Sequence, residues 1–468
     1  MKIRSYIFCI QSLFLLISIA LFTGCSNQPK LSNKEKAYGT NKGKYAIFHR
    51  IAEVDRGLGL KYPGFLVGIE KGYREKIDPN NTYDIVDKLN KDTTSEKNYA
   101  RVKDILGDRK LTFVSHIAQY SLKTGINGNP YNGIPYIAEH FIHNAYEKDF
   151  DSSNVYTESS IALDNLKERI EQIKDNEQYT HIFFYCMGWN TDQQESLRNY
   201  NSLLGLIIEN YNGERPFKPL FVGITWPSLW KWNFFKYTGI ISSYFTKADD
   251  ADEVGLMWGN RILRDILIPL KKEKNIPLIL VGHSLGARAL TRALFSSPLV
   301  PTELTDSPDD INRSDVDLMI GLEGAFSVRR FIYDKGLEGY PYEKFEEYAR
   351  KFVFTWSTYD SANSVPVIYG TRYIGGEPGY KYTKKFITSF DHFTIKTNGT
   401  DNNYNKIYTG VKDGVKWQQS FGISSKISIV DASELIYYRS YFNGGKAHND
   451  IYTPGIAKFI WSCIDNIQ

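Results

Sequence analysis

Cysteine is scarce in this chain, with four in 468 residues, at positions 9, 25, 186 and 463. Cys9 lies inside an apolar N-terminal run and Cys25 just beyond it. Cys186 and Cys463 stand far apart, in stretches that read as a strand and a helix. So thin a supply excludes a disulfide framework and reads the last two as small core residues. Metal-ligand spacings are missing too. There is no His-Glu-x-x-His, no cluster of cysteines and no phosphate-cradling glycine loop, so neither a metal nor an organic cofactor is expected. No concentrated basic run is present. The formal charge of +4 falls to +2 once Lys2 and Arg4 are removed, which argues against nucleic acid as a partner. Beyond the N-terminus, no apolar stretch is long enough to span a bilayer.

What is present begins with a targeting signal. Lys2 and Arg4 precede an apolar stretch from Tyr6 to Leu21, followed by Phe22-Thr23-Gly24-Cys25. Small residues before a cysteine resemble the bacterial lipobox, in which the cysteine becomes the lipid-modified first residue of the mature protein. That resemblance implies a signal peptide over 1–24 and a lipid anchor on Cys25. It further implies a protein of the bacterial cell envelope, held at the outer membrane or cell surface. Residues 25–44 carry Lys, Asn and Gly without periodicity, as suits a flexible tether.

The remaining length allows two or three domains, or one large decorated domain. Hydrophobic residues make up 42% and aromatics 15%, enough for a sizeable core. The 33 tyrosines suit half-buried surfaces and clefts. Residues 45–155 are the least legible. Phe65–Ile69 and Leu111–Ile117 could be strands, either the first strands of a larger sheet or part of an N-terminal extension.

The most informative stretch runs from Pro277 to Thr291. Leu278 to Val281 reads as a strand buried on both faces, and Ala287 to Phe295 as a helix. Between them, Gly282-His283-Ser284-Leu285-Gly286 fits the G-x-S-x-G nucleophile elbow. A strand turning abruptly into a helix puts Ser284 on a strained corner, over the positive end of a helix.

This segment resembles the nucleophile region of the α/β-hydrolase superfamily, above all esterase- and lipase-like members reading His-Ser-Leu-Gly. The resemblance covers the chain from about residue 156 on. It implies an α/β fold with a mostly parallel central sheet flanked by helices, with its site at the strand C-termini. It further implies the chain order nucleophile, acid, histidine. His181–Cys186 reads as a buried strand followed by Met187-Gly188-Trp189. There the family has His-Gly and an aromatic, and the residue after the glycine donates to the oxyanion. Trp189 is the match, with Leu285 as the second backbone donor, and Met187 departs from the pattern. Trp226-Pro227-Ser228 at a strand end is also similar to bacterial members.

His448 follows the last strand and precedes the terminal helix, where the family places its base. His392 rivals it by order, and His283 sits inside the elbow. For the acid, Asp360 just past a strand matches the commonest position, and Glu323 at the end of the preceding strand is the alternative. Asp431 is a weaker third. Two insertions are expected, at about 229–250 and 366–425. The first is dense in aromatics from Trp230 to Phe245 and reads as a lid, an acyl-binding wall or a self-packed hairpin. The second is rich in Tyr, Gly, Asn and Lys and reads as largely β.

Together these residues imply a serine hydrolase acting on a small-molecule or lipid-like carboxylic ester. Thioesterase, amidase and acyltransferase chemistry would use the same groups, and a noncatalytic surface-binding lipoprotein on a hydrolase scaffold is the competing class. The anchor is testable apart from the chemistry. Cys25→Ala should yield a product without acyl chains that no longer partitions with membranes. A variant still acylated and fully membrane-bound would contradict the assignment.

Overall fold

The structure is a computed structural model. It describes residues 60, 62–71, 112–122, 135–142, 155–189, 191, 193–214, 216–226, 228, 247–248, 250–295, 315–327, 348–363, 372–386, 391–397, 407–409, 411–412, 415–416, 427–437, 447–465 and 467. The targeting segment 1–24, the tether with Cys25 and the aromatic stretch Trp230–Phe245 lie outside them.

The chain opens with three strands, β1 (Gly64–Lys71), β2 (Thr112–Leu122) and β3 (Pro135–Ile142). Helix α1 (Val155–Glu177), β4 (His181–Cys186), α2 (Gln193–Glu209) and β5 (Pro219–Thr225) follow. A helical segment over 250–274 contains π-turns at Gly255–Gly259 and Ile262–Leu267 and ends as α3 (Ile268–Lys274). Next come β6 (Leu278–His283), α4 (Leu285–Phe295), β7 (Val316–Leu322) and β8 (Ala349–Trp356). Then follow α5 (Glu377–Phe386), β9 (Asp391–Thr397), β10 (Ile407–Thr409), β11 (Val411–Lys412) and β12 (Val415–Lys416). The last elements are β13 (Ile427–Asp431) and α6 (Pro454–Asp465).

Eleven of the strands form one sheet in the order β10-β9-β13-β8-β7-β6-β4-β5-β1-β2-β3. Every pairing from β9 across to β1 is parallel. Antiparallel pairs occur only toward the two ends. This is the mostly parallel α/β architecture, flanked by helices, that the resemblance implied. Its cause is visible in the sequence: β4 to β7 are buried along their whole length, so each is mostly apolar, with His181 and Asp317 at the starts of β4 and β7 as polar exceptions. Strands β1–β3 run in this same sheet.

The helices pack in two groups. In one, α4 lies against the π-turn segment, where a Cβ on Gly255 would come 2.1 Å from the Ala289 carbonyl oxygen. Buried Arg288 and Arg292 of α4 both reach Asp252, at 2.6 and 3.2 Å, and lock the two helices together. In the other group, Trp461 of α6 donates its indole N–H to the Ile207 carbonyl of α2 at 2.7 Å. The apolar face of α6, Ile456, Phe459, Ile460, Cys463 and Ile464, is fully buried. Cys186 and Cys463 are both free and buried, as core residues.

Within α1, the buried hydroxyl of Ser159 accepts from the Val114 N–H of β2 at 2.9 Å and ties the helix to the sheet. The described residues of the segment 366–425, expected to be largely β, include the strands β9 to β12. Its strands β9 and β10 extend the main sheet beyond β13. It also contains α5, a helix that begins Glu377-Pro378, with proline in the first turn where its missing N–H costs nothing. Tyr380 of that helix stacks on Trp356 with ring centroids 4.3 Å apart, an anchor no local pattern announces.

Candidate active site

The chemistry-bearing residues follow the C-terminal ends of the neighbouring parallel strands β4, β6, β7 and β8. Ser284 follows β6 with φ 54°, a left-handed conformation that costs a non-glycine residue roughly 1–3 kcal/mol. Its neighbours compensate. The Ser284 N–H donates to the Leu322 carbonyl at 3.0 Å, and its carbonyl accepts from Ala287 and Ala325 at 3.1 and 3.0 Å. The two elbow glycines are needed for close approach. A Cβ on Gly282 would lie 2.4 Å from Ala287 Cα, and one on Gly286 would lie 2.0 Å from the Cys186 carbonyl oxygen. Helix α4 can therefore fold straight back over β6 and press on the end of β4.

The loop after β4 meets the serine directly, since a Cβ on Gly188 would fall 2.8 Å from Ser284 Cβ. Met187, the departure from the family pattern, is fully buried. Its carbonyl accepts the indole N–H of Trp226 at 3.0 Å, and the Ser196 hydroxyl donates to its sulfur. Ser228 closes the same loop, accepting from the Thr191 N–H at 3.1 Å and donating to the Thr191 carbonyl at 2.8 Å. The Trp-Pro-Ser signature thus has a structural use: two of its side chains hold the β4 loop that carries Trp189. Leu285 heads α4, whose first amides have no acceptor within the helix.

His448 stands in a single 3₁₀ turn, Ala447–Asn449, before α6. The Nε2–H of His283 donates to the His448 carbonyl at 2.9 Å, and the two rings lie 4.8 Å apart, so His448 is tied to the residue beside Ser284. His283 is almost fully buried. That burial, with the charge of His448 second, pushes it down to about 3, and it stays a neutral donor.

His448 Nδ1 bonds Asp360 Oδ2 at 2.9 Å. Asp360 lies four residues past β8, and its Oδ1 accepts the N–H groups of Ala362 and Asn363 at 2.8 and 3.1 Å. The Asn363 side chain adds a donor to Oδ2 at 2.7 Å. Burial alone would push Asp360 up. The charge of His448 and the hydrogen bonds from His448, Glu323 and Asn363 outweigh it and hold the carboxyl below the usual range.

Glu323, the alternative acid, is also brought to this cluster, but its carboxyl meets Thr355 and Asp360 rather than the imidazole. Asp431 turns back on its own loop and accepts from the Ser433 N–H at 3.0 Å. His392 sits on β9, in register with Ile429 of β13, which puts two strands between it and β7. Thr355 and Asn363 escaped the sequence reading. Asn363 left a faint signal, an Asp-x-x-Asn turn, whereas Thr355 is one more residue of an apolar strand.

A cavity of about 800 Å³ opens at the opposite end of the sheet, lined by His181, Asp317 and Arg350 where β4, β7 and β8 begin. It contains no nucleophile placed like Ser284, and its Asp317 is engaged by Arg350 and Lys271 at 3.2 and 3.4 Å.

Fold and site together define a mostly parallel α/β protein with a serine on a strand–helix elbow beside an aspartate–histidine pair. No protein-family model matches the chain, and no curated protein does. Among solved structures it is similar to the phospholipase PlaB from Legionella pneumophila in complex with thio-NAD. That likeness has a TM-score of 0.25 and 12% identity over 62% of this chain, which spans 61% of the other. At so low a TM-score it carries no weight for fold or function.

The grip of Trp226 on the β4 loop can be measured. Trp226→Phe keeps an aromatic but leaves the buried Met187 carbonyl with only the weak Cys186 thiol as donor among the described residues, and should cost about 1–3 kcal/mol in urea unfolding. An unchanged midpoint would mean that the bond does not hold the loop.

Proposed function

We propose that the protein is a serine hydrolase that cleaves carboxylic esters through an acyl-enzyme, with Ser284, Asp360 and His448 as its triad. The observation that carries this reading is the 2.9 Å bond from His448 Nδ1 to the buried Asp360, next to a serine held at positive φ. The aspartate keeps the imidazole proton on Nδ1, which leaves the Nε2 lone pair to take the hydroxyl proton of Ser284.

The reaction follows in two halves. Ser284 Oγ attacks the ester carbonyl as His448 Nε2 takes its proton, and the backbone N–H groups of Leu285 and Trp189 receive the oxyanion. His448 then gives the proton to the departing alcohol, leaving Ser284 acylated. Water, deprotonated by the same nitrogen, attacks the acyl carbonyl; the acid leaves and the serine regains its hydrogen. Thioesters and amides could enter the same cycle, since the elbow acts on the carbonyl and not on the leaving group. Anchored through Cys25, the enzyme would work at the bacterial cell envelope, where lipid-like esters are at hand.

The test uses the full chain in detergent with p-nitrophenyl esters. Parent protein should hydrolyse them, and Ser284→Ala should not. Asp360→Asn should lower turnover by about 10³–10⁴ while the fold stays intact, because the imidazole loses its orientation. A folded parent that cleaves no ester, thioester or amide would instead favour a binding protein on a hydrolase scaffold.

A further inference from the structure

One buried acid has no part in that cycle. Glu323 ends β7, is fully buried, and is itself at positive φ, 48°. Such a conformation persists only where its surroundings fix it, and here they do. Its N–H donates to Thr355 Oγ1 at 3.0 Å, and its carbonyl accepts from Asn363 Nδ2 at 2.8 Å. The Thr355 hydroxyl donates back to Glu323 Oε1, also at 3.0 Å. Among the described residues no donor reaches the other oxygen, Oε2, although it is completely buried. The group that Glu323 meets instead is the carboxyl of Asp360.

Two ionised carboxylates only accept, so they can bond only through a proton carried by one of them. The environment decides which. Asp360 already has four donors: two backbone N–H groups, the Asn363 amide and His448. Glu323 has the Thr355 hydroxyl alone on its carboxyl. The other titratable groups nearby point the same way. Asp431 and Asp360 both oppose a negative charge on Glu323, whereas Asp360 is bonded by His448, against which neutral His283 packs.

We propose that Glu323 is a positioning residue of the same site, whose protonated carboxyl donates from Oε2 to Asp360 and holds that carboxylate, ionised, against His448. The role rests on the triad reading above. Burial first, and then the charge of Asp360, push Glu323 well above the usual carboxyl range, in keeping with a neutral acid at working pH. A neutral donor restrains Asp360 without adding a second buried charge.

The test has two arms on the full chain in detergent. Infrared difference spectra at pH 8, parent minus Glu323→Gln, should contain the carbonyl stretch of a protonated acid. In Asp360→Asn that band should move to higher frequency, because its charged acceptor is gone. Absence of the band, or a band indifferent to Asp360, overturns the proposal. This arm needs no turnover, so a parent that hydrolyses nothing defeats the triad reading without deciding the proton. In the second arm, Glu323→Leu should lose about tenfold or more in kcat with little change in KM. Glu323→Gln, which restores a neutral donor, should recover most of that loss. Equal kcat in the two folded variants would leave only a packing role and overturn the proposal. Should Glu323→Leu fail to fold, Glu323→Met takes its place.

Discussion

Everything at this site depends on one backbone conformation, the left-handed turn of Ser284. A strand cannot become a helix within one residue unless the corner residue takes a positive φ and the chain on either side passes close by. Gly282 and Gly286 supply the closeness, and the end of β7 supplies the hydrogen bonds that keep Ser284 in place. Because those bonds come from a neighbouring strand, the elbow cannot relax without disturbing the sheet. The parallel order then fixes the rest: β4, β6, β7 and β8 are adjacent, so the loops at their ends must meet.

Around that corner the buried polar groups are arranged so that each charge has a partner. Asp360 is out of water, and an isolated carboxylate there would be neutralised. Two backbone N–H groups, the Asn363 amide and the His448 imidazole keep it ionised. His283 is neutral and serves as a clamp on the His448 carbonyl. Met187, which looked like a defect beside the family pattern, occupies a buried position, and its main chain is held by Trp226. A loop that needs only a backbone N–H can change the side chain before its glycine when another element fixes its path.

The sequence made the central strands legible because β4 to β7 are mostly apolar runs between turn signals, and burial on both faces leaves just that trace. Motif and chain order singled out Ser284, Asp360 and His448 as candidates, and the structure brings Asp360 and His448 into contact. What depended on partners distant in sequence was not readable. Ser159 gave no local sign of its role as an acceptor for β2, because its partner lies 45 residues away. Helix α5 was hidden in a stretch rich in glycine and tyrosine, and its stacking partner belongs to β8. The link from Thr355 through Glu323 to Asp360 joins the ends of β7 and β8, and no local pattern encodes it.

The central claim is that Ser284, rather than any other hydroxyl, carries nucleophilic chemistry. Peptide mapping by mass spectrometry after treatment of the folded protein with a fluorophosphonate tests it most directly. The account predicts a single adduct, on the peptide that contains Gly282-His283-Ser284-Leu285-Gly286, and none on the heat-unfolded chain. An adduct on a different residue, or a folded protein with no adduct at all, would contradict it.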